Sequence, residues 1–251
     1  MNTPVNYKIN DEKHIQLENT DYYIPGEATY AIYLDNNEEC VYTGPLNGYT
    51  VPKNHIIRLV VNGNDRNVFG NNTFILCSYD KVVTCYQELV EAVMYSLEIQ
   101  QEEYSIYLYP GDYNATFSML FAGYSRKLFI NGNGLTLDGK NTYHFMDVGT
   151  GSTLELYNIT ITNYTRGIIG AINNYGTLTI TQSNITQNNV DKGTIYNYGG
   201  TVNITGSNIN YNNAFRGSAI FNNGGNVNIM DSTLAYNTAY EGGAIYNEVV
   251  L

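Results

Sequence analysis

Acidic and basic side chains in the second half of the chain are the residues with which this sequence would do chemistry. Glycoside hydrolysis needs two carboxylates that face each other across a groove, and polysaccharide lyase chemistry needs an acidic Ca²⁺ site beside a basic residue. The aspartates available for these reactions are Asp138, Asp147, Asp191 and Asp231. The cations of the repeat region, which we place in loops between strands and interpret as solvated charges, are Arg166, Lys192 and Arg216.

These carboxylates do not follow the pattern that either reaction requires. The sequence has no Asp-Asp pair and no Gly-His-Gly segment, and Asp138 and Asp147 are at best one coil apart. Asp191 and Asp231 occupy different phases of the repeat described below. We therefore predict no catalytic residue and keep a carbohydrate-active lyase or hydrolase as the alternative.

Metal and cofactor chemistry is also not indicated. The three histidines and three cysteines are not grouped at metal-ligand spacing: His14, His55, His144, Cys40, Cys77 and Cys85. The odd cysteine count prevents complete internal pairing, so that Cys77 and Cys85 either form a disulfide or remain buried thiols. A Gly-x-Gly pair at Gly132 is interpreted as a coil corner, because no helix follows it to bind a phosphate. The sequence predicts neither a metal nor a cofactor.

The elements that would position these residues form a tandem repeat between residues 170 and 247. A four-residue phrase, Gly-Ala-Ile-Asn in its first copy, recurs at Gly170, Gly193, Ser218 and Gly243. A second phrase, Thr-Leu-Thr-Ile, begins at Thr177, Thr201 and Asn226, with a degenerate copy at Thr153. Successive copies are 23 to 25 residues apart. A repeat of this period indicates a solenoid.

Each repeat unit has the periodicity of strands and not of a helix. This pattern predicts an all-β chain folded as a parallel β-helix of about six coils between residues 104 and 247. Apolar residues of successive coils then stack in four inward columns: Leu154, Leu178, Val202 and Val227; Leu156, Ile180, Ile204 and Ile229; Ile161, Ile185, Ile209 and Leu234; Ile172, Ile195, Ile220 and Ile245. Asparagines at the turns form two hydrogen-bonded ladders along the axis: Asn174, Asn197, Asn222 and Asn247, and Asn188, Asn212 and Asn237.

Residues 1–82 carry no repeat and are predicted to form a small β module, either a sandwich or a meander. Its candidate strands are residues 29–34, 39–43, 55–62 and 73–78. Residues 83–251 hold a helix followed by the coils and end partway into a coil. Thr84 as N-cap and Gln87 form a capping box. The apolar face of the helix, which we expect to cover the N-terminal end of the coils, carries Leu89, Val90, Val93, Met94 and Leu97.

Composition limits the range of functions. The formal net charge of −11, with only 12 Lys and Arg residues, is a poor match for nucleic acid, because phosphate binding requires clustered cations. No apolar run is long enough to span a membrane, and the first residues lack the basic and apolar regions of a signal peptide. A low charged fraction of 14% with many Asn, Thr, Gly and Tyr residues is typical of surface-exposed β-solenoids. We interpret the chain as part of a longer extracellular, cell-surface protein.

Tyrosines are the candidate binding residues, because a ring with a polar tip can stack on sugars or peptides. The chain has 25 tyrosines and no tryptophan. Those that recur at turns and outer positions of the coils form a predicted binding flank: Tyr175, Tyr198, Tyr211, Tyr236, Tyr240 and Tyr246. The unpaired edge of the last coil is a further candidate for contact, by self-association with another chain.

Asn-x-Ser/Thr sequons are the candidate modification sites. The six sequons begin at Asn71, Asn114, Asn158, Asn163, Asn184 and Asn203. They permit glycosylation if the chain is exported. A repeat rich in Asn-Ile-Thr also generates sequons for packing reasons, so both interpretations stay open.

Four successive motifs resemble a known family. They are Tyr-Gln-Glu-Leu-Val-Glu-Ala from Tyr86, Ile-Tyr-Leu-Tyr-Pro-Gly-Asp-Tyr-Asn from Ile106, Ile-Asn-Gly-Asn-Gly-Leu-Thr-Leu-Asp-Gly from Ile130, and the Gly-Ala-Ile-Tyr-Asn repeats. In this order they resemble the adhesin-like surface proteins of methanogenic archaea, and the Gly-Gly-Ala-Ile element from Gly242 is similar to repeats of chlamydial polymorphic outer-membrane proteins. The resemblance covers residues 84–247. It implies a right-handed, pectin-lyase-like parallel β-helix on a cell envelope. We predict that the chain is a non-catalytic, adhesin-like protein that recognises glycans or the surface of another cell through the flank of the solenoid.

Overall fold

The chain forms two compact units, Met1–Tyr79 and Asp80–Leu251. The computed structural model describes residues 6–9, 13, 15–18, 29–35, 37–62, 73–99, 101–122, 125–165 and 169–248. The first unit is a small β structure. The second unit combines one helix with stacked parallel strands and contains the candidate functional residues.

The N-terminal unit is built from antiparallel strands. Their bounds are β1 Asn6–Ile9, β2 Ile15–Glu18, β3 Thr29–Leu34, β4 Tyr42–Gly44, β5 Ile56–Asn62 and β6 Thr73–Cys77, with a 3₁₀ turn at Leu46–Gly48. β1 pairs with β2, and the other strands form one sheet in the order β4-β3-β5-β6 over buried Ile32, Ile57 and Leu59. This order is not that of a meander, because β5 pairs with β3. The predicted strand at 39–43 was placed too early, since β4 begins at Tyr42.

The second unit is a parallel β-helix of six coils, as the repeat predicted. A first strand, β7 (Lys81–Cys85), and helix α1 (Tyr86–Glu98) precede the coils. The strands of the first three coils are β8 Glu103–Asp112, β9 Met119–Phe121, β10 Lys127–Asn131, β11 Thr136–Asp138, β12 Met146–Val148, β13 Thr153–Tyr157, β14 Thr160–Thr162 and β15 Ile172–Asn174. Those of the last three are β16 Thr177–Thr181, β17 Asn184–Thr186, β18 Ile195–Tyr198, β19 Thr201–Thr205, β20 Asn208–Asn210, β21 Asn213–Arg216, β22 Ile220–Asn223, β23 Asn226–Met230, β24 Thr238–Glu241 and β25 Ile245–Glu248.

Strands at the same position in successive coils pair in parallel and form the sides of the solenoid. Sheet I has the order β23-β19-β16-β13-β10-β8-β7, sheet II β11-β14-β17-β20, sheet III β25-β22-β18-β15-β12-β9, and sheet IV β21-β24. In sheets I, II and III the register aligns residues of the predicted inward columns. These side chains are buried in coils three to five. In the sixth coil Ile229 and Ile245 are exposed, because among the described residues only the fifth coil packs against them.

Polar ladders connect the coils at their turns, and the two predicted asparagine ladders are confirmed. Asn174 Nδ2 donates to Asn197 Oδ1 at 2.7 Å, and the same bond recurs from Asn197 to Asn222 and from Asn222 to Asn247. The second ladder runs from Asn188 through Asn212 to Asn237. A serine ladder was missed, in which backbone N–H groups donate to hydroxyls of the next coil: Ser183, Ser207 and Ser232.

Each coil from the third to the sixth turns two of its corners with residues in the left-handed region. The first corner follows the strand of sheet I and is occupied in turn by Asn158, Gln182, Gly206 and Asp231. The second corner is occupied by Asn163, Gln187, Tyr211 and Tyr236, with φ between 55° and 58°. Asn and Gly adopt this conformation at the lowest cost, and Tyr211 and Tyr236 are the two residues at these corners that carry rings.

Helix α1 covers the N-terminal end of the core. Its buried residues, which include Tyr86, Leu89 and Val93, belong to the same apolar cluster as the coils. The predicted face was partly wrong, because Met94 is 58% exposed. The predicted cap was also shifted by one residue: Cys85 is the N-cap, without a side-chain cap bond, and Glu88 accepts hydrogen bonds from the Thr84 backbone and hydroxyl.

Candidate functional site

The carboxylates considered for catalysis lie on different sides of the solenoid. Asp138 is in β11 of sheet II, and Asp147 is in β12 of sheet III. Burial raises the pKa of each carboxyl group, but polar neighbours outweigh this effect. Lys140 and Asn163 lower the pKa of Asp138, and His144 and Asn173 lower the pKa of Asp147. A general acid requires the opposite shift. These two carboxylates therefore act as ionised hydrogen-bond acceptors.

The described residues contain no group of three or more His, Cys, Asp or Glu side chains that would hold a metal ion. Cys40, Cys77 and Cys85 are free thiols, and Cys77 and Cys85 are each half-buried in their own unit. His55 pairs with Asp35 in the N-terminal unit and His144 lies near Asp147. His14 lies outside the described residues.

We expected the cations of the repeat region to lie in loops, but one of them lies in a strand. Arg216 is the last residue of β21, and its Nε donates to Glu241 Oε2 at 2.6 Å across the β21–β24 pair. Its guanidinium also lies 5.3 Å from the centre of the Tyr246 ring. Lys192 Nζ lies 5.2 Å from the ring centre of Phe221. Arg166 lies outside the described residues.

Four exposed rings form two stacks on the last two coils, which we name the stacked-ring patch: Tyr211, Phe215, Tyr236 and Tyr240. The rings of Tyr211 and Tyr236 are 4.8 Å apart at an angle of 10°, and those of Phe215 and Tyr240 are 5.2 Å apart at 13°. In each coil the two rings are four positions apart, so their Cα atoms are within about 14 Å. The Arg216–Glu241 ion pair follows Phe215 and Tyr240 directly in sequence.

A second pair of exposed rings lies where sheet III returns to sheet I. The centres of the Tyr175 and Tyr198 rings are 6.0 Å apart, with planes tilted by 54°. Tyr198 also stacks on Tyr196, at 6.2 Å. Five of the six predicted flank tyrosines therefore fall into two separate groups of rings, and Tyr240 pairs with a phenylalanine outside the predicted set.

A third row of rings occupies the outward positions of sheet III in the last three coils and is largely covered. Tyr196, Phe221 and Tyr246 stack on one another with centres 5.4 and 5.1 Å apart. The loop that precedes each strand covers the ring of the next coil, and a Cβ added at Gly193 would overlap the backbone nitrogen of Phe221. Phe221 is fully buried as a result. This row is a structural feature, while the stacked-ring patch faces solvent.

The described sequons differ in the environment of their side-chain amides. Asn163 Nδ2 donates to Asp138, whereas Asn184 and Asn203 accept hydrogen bonds from Asn208 and Asn228 on the outer surface. The sequon at Asn71 lies outside the described residues. Glycosylation stays a prediction.

Comparisons with protein-family models, with curated proteins and with solved structures find no match to this chain. Among the described residues, no helix is both long and apolar enough to cross a membrane.

Proposed function

We propose that this chain is part of an extracellular, adhesin-like cell-surface protein that binds glycans, or the glycan surface of another cell, without catalysing a reaction. The binding surface is the solvent-exposed flank of the coils. The resemblance of residues 84–247 to adhesin-like surface proteins of methanogenic archaea supports a location on the cell envelope. The ionised, fully paired state of Asp138 and the hydrogen-bonding role of Asp147 support binding rather than hydrolysis.

The observation that carries this proposal is the placement of Tyr211 and Tyr236 at left-handed corners. A non-glycine residue in this conformation costs about 1–3 kcal/mol, and such strain is concentrated at functional sites. The equivalent corners of the two preceding coils are occupied by Asn163 and Gln187. Two successive coils therefore present a large ring, 58% and 73% exposed, at a position where the two preceding coils have a polar side chain.

Exposed rings in contiguous stacks differ from the scattered apolar residues that any protein surface has. A contiguous exposed patch indicates a binding site. Tyrosine is suited to such a site because it offers a large rigid surface with few rotatable bonds. The C–H face of a sugar ring packs on an aromatic face, while its hydroxyls reach polar groups such as Arg216 and Glu241 at the rim. A net charge of −11 favours neutral over acidic glycans.

The test is the binding of the purified chain to an array of envelope polysaccharides, with release of reducing ends and unsaturated sugars monitored in the same samples. We expect saturable binding without product. The double variant Tyr211→Ala/Tyr236→Ala should bind roughly 3- to 10-fold more weakly, from about 0.5–1.5 kcal/mol per aromatic pair. Tyr109→Ala is the matched control, because Tyr109 is also 58% exposed but lies in the first coil.

Two results would overturn the proposal. Release of sugar products would assign the chain to the carbohydrate-active enzymes and would make its carboxylates the candidate catalytic residues. Equal binding by the double variant, the control and the unmodified chain would remove the stacked-ring patch from the binding surface.

A further inference from the structure

The outward column of sheet III changes its chemistry along the axis. Its aligned residues are Leu120, Asp147, Asn173, Tyr196, Phe221 and Tyr246. The aromatic end of the column is covered by loops, whereas one third of the Asp147 side chain, 33%, is exposed. A solvent-accessible carboxylate therefore lies one coil from Asn173, which keeps 9% of its surface exposed, and two coils from a ring stack.

Asp147 and Asn173 form a polar pair with unused hydrogen-bonding capacity. Asn173 Nδ2 donates to Asp147 Oδ1 at 2.6 Å, and His144 Nε2 lies 3.5 Å from the same oxygen. Among the described residues, none donates to Asp147 Oδ2, and none accepts the second hydrogen of Asn173 Nδ2. An ionised carboxylate accepts through both oxygens and an amide nitrogen donates twice. The pair thus offers an acceptor and a donor side by side.

The ring of Tyr175 stands beside this polar pair. Tyr175 follows β15 directly, two residues after Asn173, and packs against Tyr198. Burial, followed by the negative charge of Asp147, raises the pKa of the Tyr175 hydroxyl. The Tyr175 N–H donates to the carbonyl of Val148, the residue after Asp147, at 2.8 Å, which places Tyr175 beside Asp147, and Tyr175 is 36% exposed.

We propose that Asp147, Asn173 and Tyr175 form a subsite that binds one neutral sugar unit. Two neighbouring hydroxyl groups of the sugar bond to Asp147 Oδ2 and to Asn173 Nδ2, and the C–H face of the sugar packs on the Tyr175 ring. This subsite lies apart from the stacked-ring patch and confers selectivity on a flank that otherwise offers only ring faces. The inference rests on the proposed function of glycan binding.

The surrounding chemistry favours a neutral sugar over a charged ligand. An acidic ligand would be repelled by the Asp147 carboxylate. An ammonium ligand would pair with the carboxylate and pack on the ring, but the N–H of Asn173 would point a positive dipole at it. A sugar hydroxyl both donates and accepts, so it satisfies the carboxylate and the amide together.

A matched variant is available elsewhere in the solenoid. Asp138 also accepts a hydrogen bond from an asparagine of the next coil, Asn163, at 3.2 Å, and its pKa is also lowered. Its neighbour Tyr164 is fully buried, so no exposed ring accompanies it. Asp138→Asn and Asp147→Asn each remove an inter-coil carboxylate, and Asp138 is also paired with Lys140. Asp138→Asn should therefore disturb folding at least as much as Asp147→Asn, but only Asp147→Asn removes a ligand contact.

The experiment titrates the full chain with neutral methyl glycosides of glucose, galactose, mannose and N-acetylglucosamine, and with choline, by saturation-transfer NMR. We expect at least one glycoside to bind to the unmodified chain and to Asp138→Asn with equal affinity. Asp147→Asn should bind it at least about tenfold more weakly, because charge-assisted hydrogen bonds are roughly twice as strong as neutral ones. Tyr175→Ala should weaken it as well.

Other outcomes would overturn the subsite and are distinct from failure of the proposed function. Equal glycoside affinity in Asp147→Asn, or polysaccharide binding with no response to any of the glycosides, would remove the subsite while glycan binding by the flank stands. Choline binding that is lost in Asp147→Asn would replace the sugar with a cation. If neither polysaccharides nor glycosides bind, the proposed function falls together with the subsite.

Discussion

At the scale of residues, the inner asparagines stabilise this solenoid through hydrogen bonds that no single coil can provide. Asn197 is fully buried, accepts a bond from Asn174, and donates to Asn222 and to the Gly200 carbonyl at 2.8 and 3.0 Å. A buried amide must be satisfied, because an unpaired polar group costs about 1–3 kcal/mol. The ladder meets this requirement with identical residues of neighbouring coils, so each asparagine depends on the coils above and below.

We predict that Asn197→Ala lowers the apparent free energy of unfolding by about 2–4 kcal/mol, since it leaves the Asn174 amide and the Asn222 carbonyl oxygen without their partner. Asn203→Ala in the next coil removes an outer amide pair, between Asn203 and Asn228 at 2.9 Å, and should cost less than about 0.5 kcal/mol. Urea unfolding followed by circular dichroism measures both. Similar losses in the two variants would show that the inner ladder has no special contribution.

At the scale of elements, helix α1 closes the core against solvent at the first coil. It connects the parallel strands β7 and β8 and packs its buried face on the cluster that continues through the coils. Arg126, before β10, donates to the Ser96 and Ile99 carbonyls at the C-terminal end of the helix. A cation at this end also interacts favourably with the helix dipole. The helix is thus fixed by apolar packing along its face and by Arg126 at its end.

Truncation of one helix residue tests this assignment of the buried face. Leu89→Ala should lower the free energy of unfolding by about 2–5 kcal/mol, because Leu89 is fully buried in the apolar cluster and its truncation leaves a cavity. Met94→Ala, on the exposed face, should change it by less than about 0.5 kcal/mol. Thermal and urea unfolding of both variants give the comparison. A large loss of stability in Met94→Ala would show that Met94 belongs to the buried face of the helix, as its apolar spacing in the sequence predicted.

The repeat made the inward columns and the asparagine ladders predictable, because residues at one strand phase recur every 23 to 25 positions. Outward contacts were harder to predict. Phe215 lies one repeat before Tyr240, so the repeat spacing also predicts that their rings stack. The predicted flank contained only tyrosines and therefore lacked this pair. The Asp147–Asn173 pair spans 26 residues, and the second coil departs from the repeated phrases. Because the loop between these two strands is longer than in the later coils, the repeat spacing did not predict that Asp147 and Asn173 are aligned.

At the scale of the whole solenoid, each coil contacts only its two neighbours, so stability is a sum of coil and interface contributions. Ile204 illustrates this dependence. It is aligned with Ile180 before it and Ile229 after it, and is almost fully buried between them. Loss of this side chain removes packing from three coils at once, although only one coil carries the change.

We predict that Ile204→Ala accelerates amide hydrogen exchange in a graded manner along the axis. The cavity costs about 2–5 kcal/mol, and the free energy of local opening should fall most in β19, less in β16 and β23, and least in β10, because coupling passes only between adjacent coils. Thr205→Ala, an outward substitution in the same strand, should leave the profile unchanged. Exchange measured by mass spectrometry on peptides from each strand resolves this gradient. A uniform fall in all strands would show that the coils open as one cooperative unit, and nearest-neighbour coupling would then not describe this solenoid.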